Sequence, residues 1–183
     1  LATRAQVTRR PGRTYESGCA RTVSVPLKRV TLWVRDLECA LQLYRDALGL
    51  AVLEEKTLEG PAIARMVGLD SARLRIVHLG MPGAEHGWIG LYEIGASSPR
   101  PMGELPPSRG FPLYGQTTLV FEVADLNPIH ARLATIQGLE VLAGPTSYVK
   151  AESSAAMPAG RYSELIFRDP DGIIVSLLGY API

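Results

Sequence analysis

Cysteine and histidine are scarce in this chain. Its 183 residues include two Cys and three His. Cys19 and Cys39 alone build neither a disulfide framework nor a paired-cysteine metal knuckle, so the sequence favours a reducing compartment. Apolar runs long enough to span a membrane are also missing, as is the apolar core of a secretory signal. We therefore expect a cytoplasmic protein with no membrane partner.

Net charge is low as well. Nineteen Lys and Arg face eighteen Asp and Glu, which gives a formal charge of +1 at pH 7. A surface with so little net charge argues against strong electrostatic attraction to duplex DNA, so we expect no nucleic-acid partner. Hydrophobic residues, in contrast, make up 46% of the chain. At this length they are enough for the core of one domain or of two small half-domains.

One segment of the sequence occurs twice, 89 positions apart. Residues 29–53 read RVTLWVRDLECALQLYRDALGLAVL, and residues 118–142 read TLVFEVADLNPIHARLATIQGLEVL. Each copy opens with the apolar alternation of a strand and continues with apolar residues at helical spacing. Each ends in a short apolar strand. The pattern predicts the unit strand, helix, strand, used twice.

Turn and cap residues mark the same boundaries in both copies. Asp36 and Asp125 stand at helix N-cap positions, where a carboxylate accepts backbone N–H groups. Gly49 and Gly138 stand where a helix ends in a left-handed residue. The helices are therefore predicted over residues 37–48 and 128–137.

The rest of each copy is predicted to add two more strands and a loop. A short helix is expected from Pro61, followed by strands over residues 72–80 and 88–95. Residues 57–72 and 144–160 are expected to be loops at corresponding points of the two halves. Such loops are candidates for lids over a shared cavity.

Two motifs resemble the vicinal oxygen chelate superfamily, the glyoxalase, bleomycin-resistance and extradiol-dioxygenase group. RDLECALQLYRDALGL, residues 35–50, resembles its opening helix, and FRDPDGIIVSL, residues 167–177, resembles its closing hairpin. The resemblance implies an α+β fold of two tandem βαβββ modules. These would form curved mixed sheets around a shared cavity, with the helices outside. The superfamily is often dimeric, so a homodimer is favoured.

The resemblance also divides the chain. Residues 28–95 and 117–183 become the two modules, and the Pro-rich residues 96–116 join them. Residues 1–27 are basic and lack any sustained periodicity, so we expect a disordered extension without a role in the chemistry. The modules are expected to pair either within one chain or between two chains.

The superfamily commonly holds a divalent metal at four positions on the cavity floor. Carried over to this sequence, those positions are Arg29, Gly90, Thr118 and Ser176. Arg and Gly supply no donor for Zn, Ni, Fe or Mn, so we expect no metal and no other cofactor. One alternative is a shifted metal site that uses His78 and Glu93, if the register of the last strand differs by one residue.

Without a metal, the cavity face would rely on organic side chains. Strand alternation places the candidate ligand-binding residues on one face. They are Thr31, Trp33, Trp88, Tyr92, Thr118 and Ser176. Arg29 and Glu122 are the candidate catalytic residues, with Glu122 as proton acceptor and Arg29 as anchor for an oxyanion. Alternatively, Arg29 is a solvated charge, and Trp33 and Tyr92 serve packing.

Three functions fit these features. The first is a protein that binds an oxygenated, partly aromatic small molecule, similar to bleomycin-resistance proteins. The second is a metal-free lyase or isomerase with Glu122 as base and Arg29 as oxyanion anchor. The third is a metal-dependent glyoxalase-like or dioxygenase-like enzyme with the shifted site. Convergence of Arg29 and Glu122 in one cavity would favour the second over the first.

Overall fold

A computed structural model describes residues 27–95 and 114–183. These residues form eight strands and three helices in an α+β arrangement, as predicted. The expected N-terminal extension and most of the expected linker lie outside the described residues. No helix within the described ranges is long and apolar enough to cross a membrane.

The first half of the chain has the predicted βαβββ order. Its elements are β1 (Arg29–Val34), α1 (Leu37–Leu41), β2 (Ala51–Glu59), α2 (Pro61–Val67), β3 (Arg73–Gly80) and β4 (Trp88–Gly95). Helix α1 is capped by the Asp36 carboxylate and continues as a π-helix, Gln42–Ala47. The strands form a mixed sheet in the order β1-β4-β3-β2, in which β1 runs parallel to β4.

The second half repeats this topology. Its elements are β5 (Thr118–Val123), α3 (Leu126–Leu133), β6 (Glu140–Lys150), β7 (Gly160–Arg168) and β8 (Ile174–Ala181). The strand order is β5-β8-β7-β6, and β5 runs parallel to β8. Helix α3 begins two residues earlier than predicted, because Pro128 occupies its third position, where a missing N–H removes no helical hydrogen bond. It also ends earlier, at Leu133.

Both segments predicted as loops are partly strand. β2 extends to Glu59 and β6 extends to Lys150, where Lys150 still pairs with Gly160 of β7. In the second segment, backbone hydrogen bonds with β7 thus extend the strand despite a polar, Pro-rich sequence. Such a composition is common in edge strands, and β6 is one. Residues 151–159 are what remains of the second predicted lid.

A single hydrophobic core joins the two halves. Leu32 of β1, Leu43 of the π-helix and Phe167 of β7 all belong to it, as do residues of α1 and α3, which cover one face of the sheets. Ile89 and Leu91 of β4 are buried on this helix side. We call the opposite face of each sheet the open face.

The turn between β7 and β8 fastens the second half to the first. Asp169 accepts hydrogen bonds from the amides of Asp171 and Ile173, and its other oxygen accepts one from the Tyr44 hydroxyl at 2.8 Å. Asp171 forms an ion pair with Arg35 at 2.9 Å. Both turn carboxylates therefore have a structural role, and the two halves pack together within one chain.

Candidate functional site

The open face of the first sheet carries most of the predicted site residues. Three cross-strand pairs of β1 and β4 lie side by side there: Arg29 with Trp88, Thr31 with Gly90, and Trp33 with Tyr92. Trp33 is 51% exposed, and its ring meets that of Tyr92 edge-on at 5.4 Å. The guanidinium of Arg29 lies 5.7 Å from the centre of the Tyr92 ring. This is an exposed aromatic pair beside a cation.

Trp88 is held at the margin of this face. Its indole N–H donates to the carbonyl of Ala84 at 2.7 Å, and the ammonium of Lys28 lies 4.0 Å from the centre of its ring. The indole N–H is therefore occupied by a hydrogen bond to the β3–β4 connection. The indole ring still lies beside the open face, where its centre is 6.2 Å from that of the His78 ring.

Gly90 makes room for two rings. A Cβ atom at this position would lie 2.8 Å from Cε1 of Tyr92 and 3.3 Å from Cδ2 of His78. Real Cβ contacts are not that short, so a side chain here would displace one of the rings. The glycine at this expected floor position thus allows Tyr92 and His78 to meet, with 5.9 Å between their ring centres.

His78 and Glu54 form a polar chain that the sequence did not reveal. His78 is buried, and its Nδ1 lies 2.8 Å from a carboxylate oxygen of Glu54, while its Nε2 lies 3.2 Å from the hydroxyl of Tyr92. Burial lowers the pKa of His78, the Glu54 hydrogen bond opposes that, and Arg29 and Lys56 lower it further. Burial therefore favours the neutral imidazole.

The shifted metal site is not assembled. His78 lies on the open face, whereas Glu93 is on the helix side of β4. There, Glu93 accepts a hydrogen bond from the amide of Leu37 at 3.0 Å and pairs with Arg75 at 3.1 Å. The predicted register of β4 is correct, because Gly90 pairs with Thr31 and places Glu93 on the opposite side. That alternative therefore loses its geometric basis.

The second sheet carries different chemistry on its open face. Ser176 is buried and donates to Glu164 at 2.6 Å. Three tyrosines stand in register across β6, β7 and β8, with neighbouring ring centres 5.5 and 5.2 Å apart. They are Tyr148, Tyr162 and Tyr180. Thr118 at the start of β5 is exposed. Glu164 and the tyrosines were missed because their cross-strand register is not visible in the sequence.

Arg29 and Glu122 both lie on the open faces of their strands, as the alternation predicted. Both are exposed, and neither forms an ion pair with any residue in the part of the chain that the structure describes. Arg29 lies beside the ring of Tyr92. Glu122 lies near Tyr162, whose pKa is raised by burial and, to a smaller extent, by neighbouring tyrosines and the Glu122 charge. Each of the two candidates thus has an aromatic neighbour in its own sheet.

The four floor positions do not fit a divalent metal. Arg29 is a cation, Gly90 has no side chain, and the hydroxyl of Ser176 is hydrogen-bonded to Glu164. Across residues 27–95 and 114–183, no group of three His, Cys, Asp or Glu side chains is arranged to hold a metal ion. The donor chemistry at these positions therefore differs from that of a Zn, Ni, Fe or Mn site.

A pocket of about 530 Å³ lies elsewhere, between the end of β2, helix α2 and the start of β3. Glu59, Pro61, Asp70, Arg73 and Gly95 are among the residues that line it. None of the predicted site residues contributes to it.

Comparisons with known proteins agree with this architecture. The sequence profile of the Glyoxalase/Bleomycin resistance protein/Dioxygenase superfamily matches residues 27–177. A sequence search of curated proteins gives no significant match.

Solved structures show the same fold. A glyoxalase family protein from Bacillus cereus is 22% identical with a TM-score of 0.62, and the match covers 88% of this chain and 97% of that chain. A variant of glyoxalase I from Zea mays is 19% identical with a TM-score of 0.50, and the match covers 84% of this chain and 46% of that chain. From the profile match over most of its length, the chain belongs to the Glyoxalase/Bleomycin resistance protein/Dioxygenase superfamily.

Proposed function

We propose that the open face of the first sheet binds an oxygenated, partly aromatic small molecule without the metal that members of the superfamily commonly hold. The observation that carries this proposal is the exposure of Trp33 next to Tyr92 and Arg29. A large indole left half in solvent has apolar surface available for a ligand. The neighbouring guanidinium supplies the charge-assisted hydrogen bonds that a carboxylate or enolate oxygen prefers.

The charge and shape of this face favour a flat anionic ligand. An aromatic ring can stack on Trp33 while an oxygen substituent reaches Arg29, whose guanidinium forms one long hydrogen bond of 3.4 Å, to Thr31, among the described residues. Little of the guanidinium's hydrogen-bonding capacity is used within the part of the chain that the structure describes. This role matches the bleomycin-resistance branch of the superfamily better than a metal-dependent reaction.

The enzyme alternative with Glu122 as base has less support. Glu122 and Arg29 form no ion pair in the described residues and have their nearest partners in separate sheets. A base acting on a ligand held by Arg29 is better sought within the first sheet.

A thermal-shift panel of aromatic and saturated carboxylates tests the proposal. Benzoate derivatives should stabilise the protein more than cyclohexanecarboxylate does, and a ligand present at 100 times its dissociation constant adds about 2.7 kcal/mol. Trp33→Ala and Arg29→Gln should each weaken binding about tenfold or more, because one removes the stacking surface and the other the anion anchor.

Two variants on α2 serve as matched controls. Met66→Ala and Arg65→Gln change an exposed apolar residue and an exposed cation on α2, which carries none of the predicted site residues. They should leave affinity unchanged. An aromatic carboxylate that binds equally well to the protein and to both open-face variants would show that the site lies elsewhere.

A further inference from the structure

We propose that Tyr92 accepts a proton from a ligand hydroxyl on the open face, and that His78 and Glu54 position it for this role. The site would then select compounds with an acidic hydroxyl, such as phenols or enols, and would bind them as oxyanions. The inference rests on the proposed binding function and names the chemical class of its ligand.

The hydrogen-bonded chain fixes the direction of proton transfer. The Glu54 carboxylate lies 2.8 Å from Nδ1 of His78 and accepts its proton, which leaves the lone pair on Nε2. Nε2, 3.2 Å from the Tyr92 hydroxyl, then accepts the phenolic proton. The lone pairs of the Tyr92 oxygen are left for a donor, and a ligand hydroxyl is such a donor.

His78 and Tyr92 differ in their exposure to solvent. His78 is 3% exposed, so solvent does not readily exchange with the imidazole, whereas Tyr92 is only half-buried and lies beside the exposed Trp33. The charged groups facing His78 are Glu54 and Lys56 from β2 and Arg29 from β1. Burial, Arg29 and Lys56 favour the neutral imidazole, which is the form a base needs, and Glu54 opposes them.

The proton balance is simple. The O–H bond of the ligand breaks and its proton moves to the Tyr92 oxygen, while the phenolic proton of Tyr92 moves to Nε2 of His78. The products are a ligand oxyanion, which Arg29 stabilises, and an imidazolium, which the Glu54 carboxylate stabilises. No oxidant or reductant is required, and reversal of the same step returns the proton.

A purely structural role for the hydrogen bonds that link Glu54, His78 and Tyr92 would not explain why Tyr92 is partly exposed. A buried imidazole needs a hydrogen-bond partner for each of its two nitrogens. The Glu54 carboxylate is one partner, and a fully buried polar group would serve as the other. Here the second partner is instead a half-exposed phenol, held over Gly90 where a side chain would collide with it. The Tyr92 hydroxyl, which ends this series of hydrogen bonds, therefore lies on the same face as Arg29.

Two matched probes test the proposal on the full chain. We expect 4-nitrophenol to bind more tightly than 4-nitroanisole, its methyl ether, because the ether has no proton to give. Bound 4-nitrophenol should also show the absorbance of the phenolate at a lower pH than it does in free solution. Tyr92→Phe and His78→Gln should each reduce the preference for the phenol about three- to tenfold and remove the shift in its titration.

A second measurement is independent of any ligand. Long-range ¹H–¹⁵N NMR of the free protein should show His78 as the neutral Nδ1–H tautomer at pH 7, and Glu54→Gln should disturb it. Tyr148→Phe, an exposed tyrosine of the second sheet, is the control and should change neither readout.

The outcomes separate the two proposals. If both probes bind equally and Tyr92→Phe has no effect, the proton-accepting role is wrong while the binding function stands. An Nε2–H tautomer or an imidazolium in the free protein would also reject the role by itself. If neither probe binds at millimolar concentration and the benzoate panel also fails, both proposals are rejected.

Discussion

Removal of one hydroxyl group, by Tyr44→Phe, tests how the two halves are joined. The Tyr44 side chain is fully buried, and its hydroxyl donates to Asp169 at 2.8 Å. Asp169 is 2% exposed, so the oxygen that loses this bond has no access to water in exchange. A buried acceptor left unsatisfied costs about 1–3 kcal/mol, which corresponds to a fall in Tm of roughly 2–10 °C for a chain of this size.

Urea unfolding of the protein and its variants measures this free energy. Tyr148→Phe is the matched control, because its hydroxyl forms no hydrogen bond among the described residues and its ring is 41% exposed. It should change the unfolding free energy by less than about 0.5 kcal/mol. If Tyr44→Phe is as stable as the control, the bond to Asp169 does not hold the halves together.

The same bond predicts a dependence on alkaline pH. Burial, followed by the charge and hydrogen bond of Asp169, holds the pKa of Tyr44 well above its usual value. The unfolded chain releases this proton above about pH 10 while the folded chain keeps it, so the stabilisation is fully present below that pH and is lost as pH rises further. The difference in unfolding free energy between the protein and Tyr44→Phe should therefore shrink above pH 10, by at most about 1.4 kcal/mol per pH unit.

Two further predictions concern single contacts. Gly90→Ala places a Cβ atom 2.8 Å from the Tyr92 ring. It should lower the unfolding free energy by about 1–3 kcal/mol and abolish binding of aromatic ligands. In the control Gly179→Ala, the nearest atom to the new Cβ lies at 3.6 Å, so neither effect is expected. Equal stability and equal binding of the two variants would refute the role of Gly90. Arg35→Ala should cost about 1 kcal/mol at low salt and less at high salt, because Arg35 is exposed while its partner Asp171 is largely buried. An effect independent of salt would contradict an ion pair.

The fold could be predicted because its signals are local and occur twice. Asp36 and Asp125 accept backbone N–H groups at the starts of their helices, and Gly49 has the positive φ value expected directly after the first helix, whereas Gly138 has a positive φ value in the turn beyond the earlier end of α3. Such caps depend on neighbours in sequence, so a single chain reveals them.

Strand alternation predicted which side chains lie on the open face, and no more of the candidate site than that. Alternation placed Arg29 and Trp33 on the open face correctly. It could not place Glu54 beside His78, because the ladder between β2 and β3 shifts register between Val52 and Glu54. A bulge of this kind changes which side chains share a face, and nothing in the local sequence marks it.

The contact between Tyr44 and Asp169 was missed for a related reason. Tyr44 follows the apolar spacing of its helix, which predicts a core residue, and it does lie in the core. Its hydroxyl meets a turn 125 positions later, and only the packing of one half on the other brings the two together.

The most direct test of the central claim is a calorimetric titration of chelator-treated protein with the benzoate derivative that stabilises it best, together with elemental analysis before treatment. The account predicts unchanged affinity after chelation, no stoichiometric Zn, Ni, Fe or Mn, and a loss of about tenfold or more in Trp33→Ala. One tightly held metal ion per chain, whose removal abolishes binding, would contradict it.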